Sequence, residues 1–288
     1  MILGTVQLGI NYGINNKMGK PKEEMAFKLL DYAYNNGVTC LDTASVYGNS
    51  EEIIGNYIKK TGNKFLLCTK LPLNIKAFDI KKYFNECTDK LCIDKLHIYY
   101  LHRFEQCKDK KIINELIKIK EDKAIKYVGV SIYEPNELEY ILTYLYDEVD
   151  IVQLPFNLFD NIRWIENDLL KRARQKGIKI LARSVYLQGL FFSDQNLDKT
   201  IVSSMYNPIH QITNLAQSFG YSIAEFAIAY IKSQSFINNY IVGCETLEQL
   251  INNIVIDGKN LMLDCVIQNE ILKICETINQ DLIDPRKW

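Results

Sequence analysis

The sequence is poor in several features that would each direct its reading elsewhere. It has only three histidines in 288 residues, and none has a second ligand placed nearby, so no metal site is expected. Its eight cysteines include no Cys-x-x-Cys pair, and several (Cys40, Cys68, Cys275) fall inside strand or helix patterns. That usage fits free thiols in a reducing cytoplasm better than a disulfide framework. No apolar run reaches the roughly 20 residues that span a bilayer. Met1-Ile2-Leu3-Gly4-Thr5 lacks the basic region and the long apolar stretch of a signal peptide. An excess of one charge is also missing. Lys and Arg number 34 against 35 Asp and Glu, for a net charge of −1. Lys81-Lys82 and Lys110-Lys111 sit in polar, helix-like stretches and read as solvated faces, so no nucleic-acid partner is expected.

What is present is enough apolar residue, 48% of the chain, to bury a core for one large domain or two small ones. Eight short β-rich runs stand out: residues 2–6, 38–41, 65–69, 96–101, 125–130, 151–154, 178–182 and 240–242. They are nearly continuous apolar runs, the pattern of strands covered on both faces. Helix-period segments lie between and after them: residues 23–36, 80–91, 111–120, 137–146, 165–176, 208–219, 223–232, 247–256 and 266–278. Gly37 and Gly177 read as helix stops. A polar loop is expected after Leu187. Eight β/α units at this length predict an α/β chain folded as a single (β/α)8 barrel over residues 1–288, with an open doubly wound sheet as the alternative.

In such a barrel the C-terminal strand ends share one face, and the site lies there. The second strand ends at Asp42, with Tyr47 in the loop beyond. Ser50 reads as an N-cap for the next helix, with Glu51 and Glu52 in its first turn. The third strand ends at Lys70 and the fourth at His102. Each has a plain structural reading: Asp42 and Lys70 as a rim ion pair, Tyr47 as one loop tyrosine among 18, His102 as a strand cap. Together on one face they suit proton donation to a carbonyl. A free phenol, with a pKa of about 10, is a poor acid at neutral pH. A neighbouring ammonium favours the phenolate and so improves it. Asp42 would hold Lys70, and His102 would orient the substrate oxygen. None of the four is an obvious nucleophile for the carbon, which implies a hydride donor. A Schiff-base lyase using Lys70 is a rival reading, but it leaves Tyr47 and His102 without work.

The run Asp42 to Gly55 matches D-T-A-x-x-Y-G-x-S-E-x-x-[IL]-G, and on it the chain resembles the aldo-keto reductase superfamily. The resemblance implies Asp42, Tyr47, Lys70 and His102 as a catalytic tetrad, with Tyr47 as acid and base. It implies a nicotinamide cofactor, NADPH by family habit, lying across the barrel mouth. Gly4 and Thr5 match the first strand, and Ser131 and Gln153 match positions that hold the carboxamide. Arg183, Ser184, Tyr186, Gln188 and Gly189 match the loop under the nicotinamide and pyrophosphate. Gly243, Thr246, Gln249 and Asn253 match the segment gripping the adenosine. Three departures follow. Ile132 replaces a usual Asn, and Arg183 replaces the aromatic residue that stacks on nicotinamide. The adenosine segment lacks basic residues for a 2′-phosphate, which leaves NADH open. The barrel-bottom hairpin of many members is not expected.

Arg103 and Arg183 suggest a polar or anionic carbonyl substrate, such as a free, phosphorylated or nucleotide-linked sugar. Gln7, Tyr12 and Asn157 are candidate hydrogen-bonding partners, and Trp288 is a candidate wall from the C-terminal tail. Arg183 also reads as serving the cofactor alone. The runs starting at Gly4 and Ala182 resemble a bacterial branch tied to surface-polysaccharide building. A nicotinamide-binding regulatory subunit of low activity is the non-enzymatic alternative. A monomer or homodimer in the cytoplasm is expected.

Overall fold

A computed structural model describes residues 1–193 and 200–288. Part of the polar loop expected after Leu187 lies outside the described residues. The chain begins with strand β1 (Ile2–Gly4), a single helical turn α1 (Val6–Gly9) and helix α2 (Glu23–Asn35). Strand β2 (Cys40–Asp42), helix α3 (Ser50–Thr61), strand β3 (Leu66–Lys70), helix α4 (Ile80–Leu91) and strand β4 (Leu96–Leu101) follow. Next come α5 (Lys110–Glu121), β5 (Ile125–Ser131), α6 (Pro135–Tyr144), β6 (Ile151–Pro155) and the short helices α7 (Ile162–Ile165) and α8 (Leu169–Gln175). The last elements are β7 (Lys179–Arg183), α9 (Thr200–Ser218), α10 (Ile223–Lys232), β8 (Asn239–Gly243), α11 (Leu247–Gly258) and α12 (Cys265–Cys275).

The eight strands pair in chain order, all parallel, and β8 closes onto β1. This is the expected (β/α)8 barrel, and the open sheet is excluded. Most helices bury an apolar stripe, while α10 is buried on nearly every side. In α4 the buried Ile80, Phe84, Cys87 and Leu91 recur at the helical period. The eight cysteines are free. Among the described residues no helix is long and apolar enough to cross a membrane.

Three local expectations differ from the structure. Ser50 is the first residue of α3 rather than its cap: its hydroxyl donates to the Thr5 carbonyl at 3.0 Å. The helix expected over residues 165–176 is two helices, with Asp168 left-handed (φ 53°) between them. Trp164 and Leu169 are both buried. Five residues apart, they would sit about 140° round a continuous helix, and the left-handed Asp168 breaks the helix between them. Helix α9 runs through Pro208 instead of starting there. Met205, Ile212 and Ala216 are all fully buried, so the apolar stripe extends on both sides of the proline. That burial offsets the roughly 3 kcal/mol a helical proline costs.

The barrel interior decides where the chemistry falls. Side chains alternate across a strand. A small interior cluster holds Ile2, Cys40, Cys68, Ile98, Tyr100, Ile151, Leu181 and Ile241. Two residues further along these strands stand Gly4, Asp42, Lys70, His102, Gln153, Arg183 and Gly243. Ser131 holds the same place on β5, two residues past Gly129. The Tyr100 ring fills the space that a Cβ on Gly129 would need, only 2.3 Å away, so it floors the layer above.

Candidate active site

A cavity of about 430 Å³ opens at the C-terminal ends of the strands. Asp42, Tyr47, Lys70 and His102 all line it. Lys70 is 2% exposed, and its ammonium donates to Asp42 Oδ1 and to the Thr43 carbonyl at 2.9 Å. Asp42 Oδ2 accepts from Gln153 Nε2 at 2.9 Å. The ammonium lies 5.2 Å from the centre of the Tyr47 ring and 5.6 Å from that of Tyr100. Burial pulls the Lys70 pKa down, but the Asp42 charge, the charge Tyr47 carries when it is ionised and the Asp42 hydrogen bond outweigh that pull and raise the pKa above the ordinary lysine value. The Tyr47 and His102 rings meet edge to face with centroids 6.4 Å apart. Burial, then the Lys70 and Arg183 charges, push the His102 pKa down to about 3. A neutral imidazole can donate one N–H but is no proton reservoir.

The Tyr47 loop is placed by backbone contact. A Cβ on Gly9 would lie 1.7 Å from the Tyr47 carbonyl oxygen, so only glycine fits. Ser45 N donates to the Lys70 carbonyl at 3.2 Å, tying that loop to β3. Beneath it, Thr69 donates to the buried Glu51 at 2.6 Å, fixing the first turn of α3.

The remaining expected residues divide. Gly4, Thr5, Ser131, Gln153, Arg183, Ser184, Tyr186, Gln188, Gly189, Gly243, Gln249 and Asn253 line the cavity, with Gln7 and Tyr12. Gln7 Oε1 is buried without a hydrogen-bond partner. Burial and the neighbouring Tyr47 push Tyr12 up to about 12. Four expected residues do not line it. Thr246 caps α11, its hydroxyl accepting from Gln249 N at 3.2 Å. Asn157 is fully buried. Its amide donates to the Ser184 carbonyl at 3.1 Å and its oxygen accepts from Phe159 and Asp160, so it shapes the β7 loop. Arg103 is exposed, one residue past His102 and so on the other side of the strand line. Trp288 packs against the core with its indole donating to the Leu282 carbonyl at 3.1 Å.

The sequence reading missed Tyr133, Asn15 and Phe192. Tyr133 continues the period of two from Gly129 through Ser131, and that alternation would have found it. Asn15 has no such signal. It lies in a loop strapped across the mouth, where Ile14 N donates to the Gln188 carbonyl at 3.0 Å and Asn15 Nδ2 to Gly189 at 2.7 Å.

The model of the aldo/keto reductase family matches residues 1–257. The chain belongs to this family. A probable aldo-keto reductase of Glycine max is 25% identical over 286 residues, spanning 88% of this chain and 79% of that protein. An uncharacterized Bacillus subtilis oxidoreductase, YqkF, is 26% identical over 280 residues, spanning 88% and 89%. The NADP(+) aldo-keto reductase yakc of Schizosaccharomyces pombe is 30% identical over 186 residues, 59% of this chain and 54% of that one. The holo form of aldo-keto reductase AKR11C1 from Bacillus halodurans superposes with a TM-score of 0.77 at 17% identity, covering 99% and 95% of the two chains. The protein is thus an oxidoreductase of a family that uses nicotinamide cofactors on small carbonyl compounds.

Proposed function

We propose that this aldo-keto reductase reduces an aldehyde or ketone with NAD(P)H, using Tyr47 as general acid. The supporting observation is the convergence of Asp42, Lys70, Tyr47 and His102 on one cavity. The lining fits a dinucleotide. It offers the polar groups of Ser131 and Gln153, the plane of Arg183, the unpartnered oxygen of Gln7, and glycines at 189 and 243 where the backbone is bare. A bound nicotinamide supplies a hydride to the carbonyl carbon. Tyr47 gives its proton to the carbonyl oxygen, and Lys70 stabilises the phenolate left behind. Asp42, held by Gln153, fixes Lys70. His102, neutral, donates a hydrogen bond to the same oxygen and orients it without competing as the acid.

The α11 end of the cavity carries Glu245, Gln249, Asn252 and Asn253. Among the described lining residues the only Lys or Arg are Lys70 and Arg183, at the other end. A 2′-phosphate beside Glu245 would meet an acid and no cation. Against the family's NADPH habit, NADH is therefore expected to bind at least as tightly. Tighter NADPH binding in a fluorescence titration would refute this. For the substrate, Gln7, Tyr12, Asn15 and Tyr133 give a polar wall suited to a sugar carbonyl. The loss of Arg103 from the mouth weakens the case for a phosphorylated one. The test is Tyr47→Phe on a panel of sugar and simple aldehydes. Turnover should fall by about 10²–10⁴-fold while cofactor affinity holds within a few-fold. Retained turnover would remove Tyr47 from the acid's role.

A further inference from the structure

Tyr133 lines the cavity, and its ring lies between two guanidiniums. The Arg183 Cζ is 4.1 Å from the ring centroid and the Arg286 Cζ is 4.0 Å from it. One face of a phenol ring has no room for two guanidinium planes, so the arginines occupy opposite faces. Arg183 borders the cavity. Arg286 belongs to the C-terminal segment and does not.

Both ends of this stack are fixed. Arg183 donates to the Ile132 carbonyl at 3.1 Å and to Ser184 Oγ at 3.4 Å. Arg286 donates to Asp284 Oδ1 at 2.9 Å and Oδ2 at 2.6 Å, and also to Glu134. Glu134 accepts in turn from Arg163 at 2.9 Å, and Arg163 makes a two-pronged contact at 2.7 Å with the buried Asp160. Core packing does not require this arrangement. The Arg286 side chain is 41% exposed, and the turn Pro285–Lys287 buries no residue. Two cations facing each other across a ring repel. The electron-rich faces of Tyr133, with Glu134 and Asp284 on the outer side, offset that repulsion.

We propose that Arg286 is a positioning residue of the active site. Through the Tyr133 ring it holds the Arg183 guanidinium with its plane against the cavity, as the wall for the planar nicotinamide end of the cofactor. This rests on the reductase reading above. The C-terminal segment thereby acts on the site from outside the cavity, by one side chain, while Trp288 packs elsewhere.

The test is titration of the full-length protein with NADH and NADPH, read by quenching of protein fluorescence. The variants are Arg286→Ala, Tyr133→Ala, Tyr133→Phe and the double variant Tyr133→Ala/Arg286→Ala. Arg286→Ala and Tyr133→Ala should each weaken binding by about 3- to 30-fold, the loss of one cation–π contact. Tyr133→Phe keeps the ring and should stay within about twofold of wild type, as expected if the ring face carries the effect. The double variant should bind no worse than Tyr133→Ala, because Arg286 acts only through that ring. Unchanged affinity in Arg286→Ala, or a double-variant loss equal to the product of the single losses, would overturn the proposal. Absence of binding by the wild-type protein would overturn the reductase reading, and this proposal with it.

Discussion

Replacing Lys70 with methionine tests the pair on which the site is built. The Lys70 side chain is 2% exposed and that of Asp42 5%. Methionine keeps most of the stem and removes the charge. Asp42 is then a buried carboxylate with one side-chain partner, Gln153 at 2.9 Å. Breaking a buried ion pair from one side costs about 3–5 kcal/mol. At an unfolding entropy of about 2.1 cal/mol/K per residue, this chain has roughly 0.6 kcal/mol/K, so the midpoint should drop by about 5–8 °C. The double variant Asp42→Leu/Lys70→Met removes both charges and should recover most of that loss, since two apolar groups need no pairing. Turnover should recover in neither variant. Calorimetry gives the midpoints, and nicotinamide absorbance with an aldehyde panel gives the turnover. A drop of less than a degree in Lys70→Met would mean that the carboxylate finds water or another partner on losing its cation. Turnover in the double variant would mean that the chemistry lies elsewhere in the barrel.

The His102 pKa is pushed down to about 3 by burial and by Lys70, Arg183 and Arg103. In the unfolded chain it sits near about 6.5, so below that pH the unfolded state binds a proton that the folded state does not. Stability should thus fall with decreasing pH from about 6.5 towards 3, by up to about 1.4 kcal/mol per unit from this group alone. His102→Gln should flatten that slope in denaturant titrations at several pH values, and an unchanged slope would place its origin in another group. Gly9→Ala should displace the Tyr47 turn and cut turnover at least about 10²-fold, the lower end of what a misplaced general acid costs. Gly177→Ala, with a left-handed φ of 78° and nothing within 4 Å of its Cβ, should cost about 1 kcal/mol and spare activity. Equal turnover in the two variants would refute the steric argument.

The strands were legible because their apolar runs are bounded by glycine and polar turns, and the edges fell within two residues of those read from the sequence. The same continuity hid which residues face inward. A strand covered on both faces shows no alternation, so the interior parity has to come from the ends, where polar side chains recur on the inward positions. Asp42, Lys70 and His102 declare that parity for β2, β3 and β4. Carried forward, it excludes Arg103, which follows His102 by one residue. Carried along β5, it adds Tyr133, two residues past Ser131.

Beyond the strand ends the rule is uneven: it reaches Tyr133, two residues past the end of β5, but fails at Asn157 for a physical reason. Asn157 has the inward parity of Ile151 and Gln153, yet the strand ends at Pro155. The chain then turns so tightly that Asn157 N donates to the Asp160 carbonyl at 3.2 Å, and the Asn157 side chain is consumed in holding that turn. Thr246 is likewise spent on the cap of α11. A short polar side chain next to a turn or a helix start has backbone donors within reach before any ligand arrives. Arg286 is the opposite case. Its partners, Tyr133 and Glu134, lie about 150 residues away in sequence, and no local pattern at the C-terminus indicates that its guanidinium reaches the β5 loop. The positions that sequence reasoning reaches in this fold are those fixed by strand parity or carried by the family's motifs, as Tyr47 and Gln249 are. The positions it misses, Asn15 in a loop and Arg286 in the tail, are fixed by contacts with segments far away in sequence.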